Sequence, residues 1–159
     1  MARWYHLSLM ALILLVVWGC SQSSSLVAQE KDGQGQPRFT KAENGVITDH
    51  VTGLDWYVGQ ENTWHQAKAW VEGLSVAGGG WRLPSVAELK ALYQPGASAN
   101  NMDPLFQTTV AWAWSSELNQ PWSVWGLAFY NGVVGWHSMN YGNGRLALAV
   151  RTVFVIGES

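Results

Sequence analysis

Aromatic, amide and imidazole side chains gather in the C-terminal part of the chain, on or beside predicted loops. These residues are Trp122, Trp136, His137, Asn140, Tyr141 and Asn143. Indole and phenol rings stack on the apolar faces of sugars, and amides and imidazoles exchange hydrogen bonds with sugar hydroxyls. Residues 137–144 are too polar and too rich in glycine to form core, so we expect them to contact a ligand. The same residue types are common in ordinary turns, which leaves a purely structural role open.

A hydrolytic site is the other chemistry to consider, because Ser115 and Ser116 could act with His137. A nucleophilic serine needs a histidine that is itself oriented by a third group, usually a carboxylate. The sequence positions no carboxylate to do this. We therefore predict no catalytic residues and no enzymatic activity.

Charge and cysteine content exclude further classes of partner. Residues 20–159 carry eight Lys and Arg against 11 Asp and Glu, a net charge of −3, so we expect no nucleic-acid partner. The four histidines have no metal-ligand spacing, and a single cysteine can form neither an internal disulfide nor a zinc-thiolate site. We predict no metal and no cofactor.

The ligand-contacting residues need a scaffold, and apolar patterning predicts an α+β domain with strands at both ends. The predicted strands are 46–48, 54–58, 111–115, 122–130, 133–136 and 146–154. Asn131 and Gly132 lie between two of these runs and predict a tight hairpin. Nine of the 11 tryptophans follow residue 19, and we expect about two thirds of them in the core.

Two helices are predicted in the middle of the domain. Thr63 with Gln66 and Ser85 with Glu88 match the capping box at helix N-termini, and the second helix is expected to end near Tyr93. Arg82 and Arg151 lie in framework segments. We expect both to pair with carboxylates such as Glu88 rather than with a ligand.

The N-terminus resembles that of a bacterial lipoprotein. An apolar run over residues 7–19 ends at Cys20 and is followed by Ser21 and a serine-rich segment. We predict a signal peptide over residues 1–19, a lipidated Cys20 with a flexible tether over 20–38, and a domain over 39–159. Ser21 resembles signals that direct lipoproteins to the outer membrane. An uncleaved anchor helix and an ordinary signal peptide cut near Val27 remain alternatives.

Seven segments of the domain resemble the Lcl C-terminal domain family, long catalogued as a domain of unknown function. They are Phe39-Thr40, the run 44–49, Thr52-Gly53-Leu54 with Trp56, Trp64 with Ala67, the Trp81-Arg82-Leu83-Pro84-Ser85 run with Glu88-Leu89, Trp114-Ser115-Ser116, and Val150-Arg151. The resemblance implies a C-type-lectin-like fold, with two helices flanking antiparallel β-sheets and paired termini. It also implies an adhesin-type module, since the founding member's domain is described as binding glycosaminoglycan-type polysaccharides.

The chain departs from the family pattern at several positions. Val71 and Thr152 stand where members often carry two cysteines, Asp55 stands where an apolar residue is frequent, and Phe154 replaces a second arginine. The Glu-Pro-Asn and Trp-Asn-Asp signatures of calcium-dependent lectins are missing, so the fold does not imply bound Ca²⁺.

The sequence favours an envelope-anchored lipoprotein that binds a glycan or polysaccharide and is held to the outer membrane by its lipid. The alternative is a structural or protein-docking subunit of the envelope. A formylglycine-generating-type enzyme shares the broad fold, but that chemistry uses a cysteine in the catalytic domain, and this domain has none.

Overall fold

The computed structural model describes residues 30–31 and 33–153. Its strands are β1 (Phe39–Lys41), β2 (Ile47–Asp49), β3 (Leu54–Glu61), β4 (Trp112–Gln120), β5 (Ser123–Ala128), β6 (Val133–Ser138) and β7 (Leu146–Thr152). Its α-helices are α1 (Trp64–Gly73) and α2 (Val86–Leu92), and short 3₁₀ turns cover Val76–Gly78 and Pro104–Phe106. The six predicted strands and both predicted helices are present. The short β1 was not predicted.

All seven strands belong to one sheet, in the order β1-β2-β3-β7-β4-β5-β6. The α+β class is confirmed, but the expected antiparallel sheets are a single sheet. One contact in it is parallel, where Ala113 of β4 lies beside Leu146 of β7. The C-terminal strand therefore lies between the N-terminal hairpin and the β4–β6 meander, and it joins them into one sheet.

Both helices begin where their capping boxes predict. The Thr63 hydroxyl accepts the N–H of Gln66, and the Gln66 side chain accepts the N–H of Thr63. Ser85 and Glu88 make the same reciprocal pair at α2, which ends at its C-cap, Tyr93. Neither helix in the described residues has the length and apolarity needed to cross a membrane.

The sheet packs on both of its faces, and β7 shows how the two cores divide. Leu146, Leu148 and Val150 join the cluster that contains the buried residues of α2, and this side is called the α2 face. Ala147 and Ala149 join the cluster that contains the buried residues of α1, which is the α1 face. Successive side chains of a strand point to opposite faces, so strand register decides which cluster each residue enters.

The tryptophans divide between core and surface nearly as expected, since Trp70 also packs against the α1-face cluster. Five of the nine after residue 19 are buried, namely Trp56, Trp64, Trp81, Trp112 and Trp114. Two are half-buried, and Trp122 and Trp136 are exposed to 77% and 58%. The exposed pair are the two that the sequence assigned to ligand contact.

The folded contacts reach N-terminally beyond the predicted boundary at Phe39. Arg38 is buried, and its guanidinium pairs with both carboxylate oxygens of Asp49, at 3.1 Å and 2.9 Å. The same guanidinium contacts Glu30 at 2.8 Å and donates to the carbonyl of Ala91. Arg38 and Glu30 therefore contact the domain that was predicted to begin at Phe39.

Candidate functional site

A cleft of about 380 Å³ opens on the α1 face at the β4–β5–β6 end of the sheet. The residues that characterise its lining are Trp112, Tyr130, Val133, Gly135, His137 and Arg145. Alternate residues of β6 supply one wall, because residues 133, 135 and 137 share a strand face. A Cβ added at Gly135 or Gly144 would meet nothing within 4 Å, so both glycines keep the cleft open.

Trp112 forms the base of this cleft, and the neighbouring strand shapes its position. Its indole lies across Gly126 of β5, in the space that a Cβ on residue 126 would need. It packs edge-on against Trp114, with ring centroids 4.9 Å apart, and edge-on against His137 at 4.8 Å. A glycine on one strand thus allows an aromatic side chain of the next strand to lie flat on the sheet.

The guanidinium of Arg145 lies between two aromatic rings. Its Cζ is 4.6 Å from the ring centroid of Trp112 and 5.0 Å from that of Tyr141. Its Nη2 approaches the imidazole nitrogens of His137 at 3.0 Å and 3.2 Å, and Nη1 donates to the carbonyl of Gly144. The rings attract the cation through their quadrupoles and fix its plane within the cleft.

No carboxylate among the described residues forms a salt bridge with Arg145. The nearby Glu61 instead accepts the backbone N–H of Gly144. Burial lowers the pKa of Arg145, and the buried Nε has no hydrogen-bond partner in the described part of the chain. A guanidinium has five N–H donors, so this one keeps both an uncompensated charge and unused donors. That combination favours an anionic ligand.

His137 is held neutral by the same surroundings. Burial lowers the pKa of its imidazole below the ordinary 6.5, and repulsion from Arg145 lowers it further. A neutral imidazole has one unprotonated nitrogen that can accept from Nη2 of Arg145. His137 therefore orients the cation near neutral pH and adds no charge of its own.

The structure brings together some of the sequence-predicted site residues at this cleft. His137 lines it, and Tyr141 covers Arg145 from the loop after β6. Asn140 and Asn143 are exposed on the same loop, and their side chains make no hydrogen bond to the described residues. Their amides are available to solvent or a ligand.

Trp122 and Trp136 lie outside the cleft. Trp136 pairs with Trp125 across β5 and β6, and its neighbour His137 points into the cleft, so Trp136 points to the α2 face. Trp122 lies at the β4–β5 turn, where its carbonyl accepts the N–H of Met139. The six predicted residues therefore do not form one continuous site.

The expectation that residues 137–144 contain no core residue is wrong at Met139. Its side chain is buried in the α1-face cluster, and its carbonyl accepts the N–H of Trp64 at the start of α1. The first two residues of the segment belong to β6 rather than to a loop. One buried methionine thus anchors the loop that carries Tyr141.

Sequence reasoning missed the central members of the cleft, Trp112, Tyr130, Gly135 and Arg145. Arg145 had one usable signal, since it stands between a polar loop and a buried strand with no acidic residue within three positions. Trp112 gave none, because it belongs to an apolar run that correctly predicts a buried strand.

The predicted structural arginines do pair with carboxylates. Arg82 contacts both oxygens of Glu88, at 2.8 Å and 2.6 Å, which raises the pKa of Arg82 and lowers that of Glu88. Arg151 donates twice to Asp55, at 3.1 Å and 2.9 Å. Asp55, a departure from the family pattern, therefore supplies the anion that Arg151 uses here.

Two further sequence predictions concern metal and lipid. Among the described residues, no group of three His, Cys, Asp or Glu side chains could hold a metal ion. Cys20, the predicted lipidation site, lies outside the described residues, as do the predicted signal peptide and Phe154.

Comparison with known proteins identifies the family of this chain. The comparison with curated proteins finds no match. The family model described as the Lcl C-terminal domain matches residues 45–153, which include all the described elements from β2 to β7 and therefore the whole cleft. This chain belongs to the Lcl C-terminal domain family.

Proposed function

We propose that this protein is an envelope-anchored binding module for a glycan or polysaccharide that carries acidic groups. The observation that carries the proposal is the guanidinium of Arg145, which lies between Trp112 and Tyr141 without a carboxylate partner among the described residues. Arginine binds carboxylates and sulfates through paired N–H donors, and the flanking rings offer apolar faces to the sugar. An acidic saccharide has both an anionic group for the guanidinium and an apolar ring face for the aromatic side chains.

The surroundings of the cleft extend the surface available to a longer saccharide. Tyr141 is 53% exposed, and Asn140 and Asn143 present free amides beside it. Trp122 adds an aromatic ring at the β4–β5 turn. Its carbonyl accepts the N–H of Met139, at the start of the loop that carries Tyr141. A polysaccharide crossing this end of the domain would meet rings and amides in succession.

Binding without catalysis is the better explanation of the serines. Ser115 is buried, and its hydroxyl donates to the carbonyl of Trp125 at 2.7 Å. The same hydroxyl oxygen accepts the N–H of Glu117, so both hydrogen bonds of the Ser115 hydroxyl are to the backbone of the sheet. His137 contacts Arg145, whose positive charge disfavours the imidazolium that a general base must form.

Anchoring through a lipidated Cys20 at the outer membrane completes the proposal. The described chain begins beside β1, at one edge of the sheet, and the cleft includes β6, at the other edge. Seven strands about 4.8 Å apart separate these edges by roughly 29 Å. A lipid at the N-terminus would therefore leave the cleft clear of the membrane.

A protein-docking role is the second candidate, and one observation favours it. A groove of about 380 Å³ on the α1 side is lined mainly by apolar groups, including Trp64, Val71, Leu83 and Leu118. Such a groove fits an apolar segment better than a saccharide. Variants at Arg145 would leave docking there unchanged, which separates the two candidates.

A glycan array probed with residues 30–159 tests the proposal. The fragment starts at Glu30 because a start at Phe39 would remove Arg38 and leave Asp49 buried without its cation. We expect binding to glycans with carboxylates or sulfates, loss of that binding in Arg145→Gln, and retention in Lys90→Gln. Lys90 is exposed on α2, so Lys90→Gln provides a matched loss of one positive charge away from the cleft. Failure to bind any saccharide, or equal binding by both variants, contradicts the proposal.

A further inference from the structure

Among the described residues, β6 is an open edge of the sheet, and the strand itself carries none of the usual protection. It is the last strand in the sheet order, and its six residues include no charged residue and no proline. Val133 and Trp136 are exposed to 55% and 58%. Natural proteins usually shield such edges with charges, prolines, bulges or very short strands, because an open edge can pair with another chain.

The backbone of β6 has N–H and C=O groups that face away from β5 and could pair with another strand. The N–H of Met139 donates to Trp122 at the end of the β5–β6 ladder. In an antiparallel ladder, alternate residues turn their N–H and C=O groups away from the paired strand. The N–H of Met139 faces β5, and the groups alternate along the observed register. The N–H and C=O groups of Val134 and Trp136 therefore face the outer edge. Neither residue has another backbone partner in the described chain.

The opposite edge of the sheet is protected, and this restricts how copies could associate. β1 has only three residues, and the ammonium group of Lys41 at its end donates to Leu105 and Gln107. Pairing of β6 with β1 of another copy would be short and would build an open chain of molecules. Pairing of β6 with itself closes after two copies.

We propose that β6 pairs with β6 of a second copy of this chain, antiparallel, around a two-fold axis at Gly135. In this register Val134 lies opposite the partner's Trp136, and the outward N–H and C=O groups of both strands are satisfied. Aromatic and β-branched residues directly opposite each other stabilise such ladders. Because the strand is uncharged, no like charges face each other when it pairs with itself.

Gly135 fits the position on the axis. A Cβ there would meet no atom of the described residues within 4 Å, so their packing does not require a glycine. Its φ is not positive, so backbone conformation does not require one either. Glycine in a strand interior often marks a close approach of another backbone.

The pairing would join two clefts on one face. Val133, Gly135 and His137 line the cleft from β6, and the same residues of the partner would continue that wall across the interface. A single polymer could then contact both clefts, which raises avidity without new contacts within either one. The self-association itself depends on β6 alone and holds whether or not a glycan binds.

Photo-crosslinking of the full chain in the cells that produce it tests the proposal. A photoreactive amino acid replaces Trp136, and the matched control replaces Val51, which is 55% exposed in the turn between β2 and β3. We expect a product of twice the chain mass from position 136 and not from position 51. A product with a different protein at position 136, no product, or the same dimer from both positions overturns the proposal.

A charge variant supplies the second measurement. Trp136→Lys places a charge on the edge, and Leu118→Lys is the control, since Leu118 is also exposed, at 59%. In sedimentation of the full chain in detergent, we expect dimers for the unaltered chain and Leu118→Lys and monomers for Trp136→Lys. Thermal melts establish that each variant is folded. Identical sedimentation of all three chains overturns the proposal.

Discussion

The indole of Trp112 lies across Gly126 on the adjacent strand and fills the space where residue 126 would carry a side chain. This contact sets the base of the cleft, because Trp112 also packs against His137 and under the guanidinium of Arg145. The candidate binding site therefore depends on Gly126, which does not itself line the cleft.

Gly126→Ala should destabilise the domain by about 1–3 kcal/mol, since the added methyl group collides with Trp112 and with the carbonyl of Ala113. Urea titration of both chains measures the change in the free energy of unfolding. Gly135→Ala is the control, because its methyl group meets open space. Equal stability of Gly126→Ala and the unaltered chain would show that Trp112 does not need this glycine.

Gly135→Val should block the cleft without unfolding the domain. The side chain would project into the cleft from β6, where nothing lies within 4 Å of the Cβ position, and valine favours strands. We expect at least a tenfold loss of affinity for an acidic oligosaccharide chosen from the array, measured by calorimetry. An unchanged affinity would place the ligand elsewhere on the protein.

Tyr141→Ala should weaken saccharide binding by about 1–3 kcal/mol, because a few aromatic anchors carry most of the energy at such interfaces. Its ring is 53% exposed and lies 5.0 Å from the guanidinium of Arg145, so folding stability should change little. Tyr141→Phe keeps the ring and should keep most of the affinity. A large fall in melting temperature for Tyr141→Ala would instead indicate a structural role.

Stability should fall as the pH is lowered through the range just below 6.5. The pKa of His137 is lowered in the folded state, so the unfolded chain binds this proton first and acidification favours unfolding. Well above pH 6.5 the residue is neutral in both states and contributes no slope. Asp49 and Glu88 have pKa values below their ordinary 3.8 and 4.5, so they titrate at lower pH.

Thermal melts between pH 5 and pH 7.5 measure this slope, and His137→Gln should flatten it. Glutamine keeps a hydrogen-bond acceptor for Arg145 but does not titrate. A slope that is identical in the variant would assign the effect to other groups.

Local sequence signals predicted the elements well, because the interactions that create them lie within a few residues. Each capping box joins residues three positions apart, and the hairpin turn at Gly132 needs a positive φ, here 74°. Each of these constraints involves residues that lie within a few positions of one another in the sequence. The predicted helix starts were therefore confirmed. The β5–β6 hairpin is also present, but its loop covers residues 129–132 and not the predicted two residues, Asn131 and Gly132.

The cleft could not be predicted in the same way, because it depends on strand register and tertiary contacts. Whether Trp136 or His137 faces the α1 side is decided by pairing with β5, and a shift of one residue would exchange them. Arg145 is distinctive because no salt bridge among the described residues includes it, while Glu61 accepts the N–H of the adjacent Gly144. No residue spacing in the sequence predicts these partners of Glu61 and Arg145.

Arg38→Met should destabilise the domain by about 3–5 kcal/mol, because it removes the cation from a carboxylate that cannot reach water. The side chain of Asp49 is only 1% exposed, and it accepts two hydrogen bonds from Arg38 as well as the N–H of Val51. Pairing lowers the pKa of Asp49, and that stabilisation is lost when the cation is removed. Urea titration at pH 7 measures the difference.

The double variant Arg38→Met with Asp49→Asn distinguishes a buried charge from lost packing. Asparagine removes the negative charge and keeps an oxygen for the N–H of Val51. We expect it to recover part of the stability lost in Arg38→Met. If the double variant were no more stable than the single one, the cost would come from the contacts of Arg38 with Glu30 and Ala91. Arg38 would then stabilise the domain through those contacts, and not by neutralising Asp49.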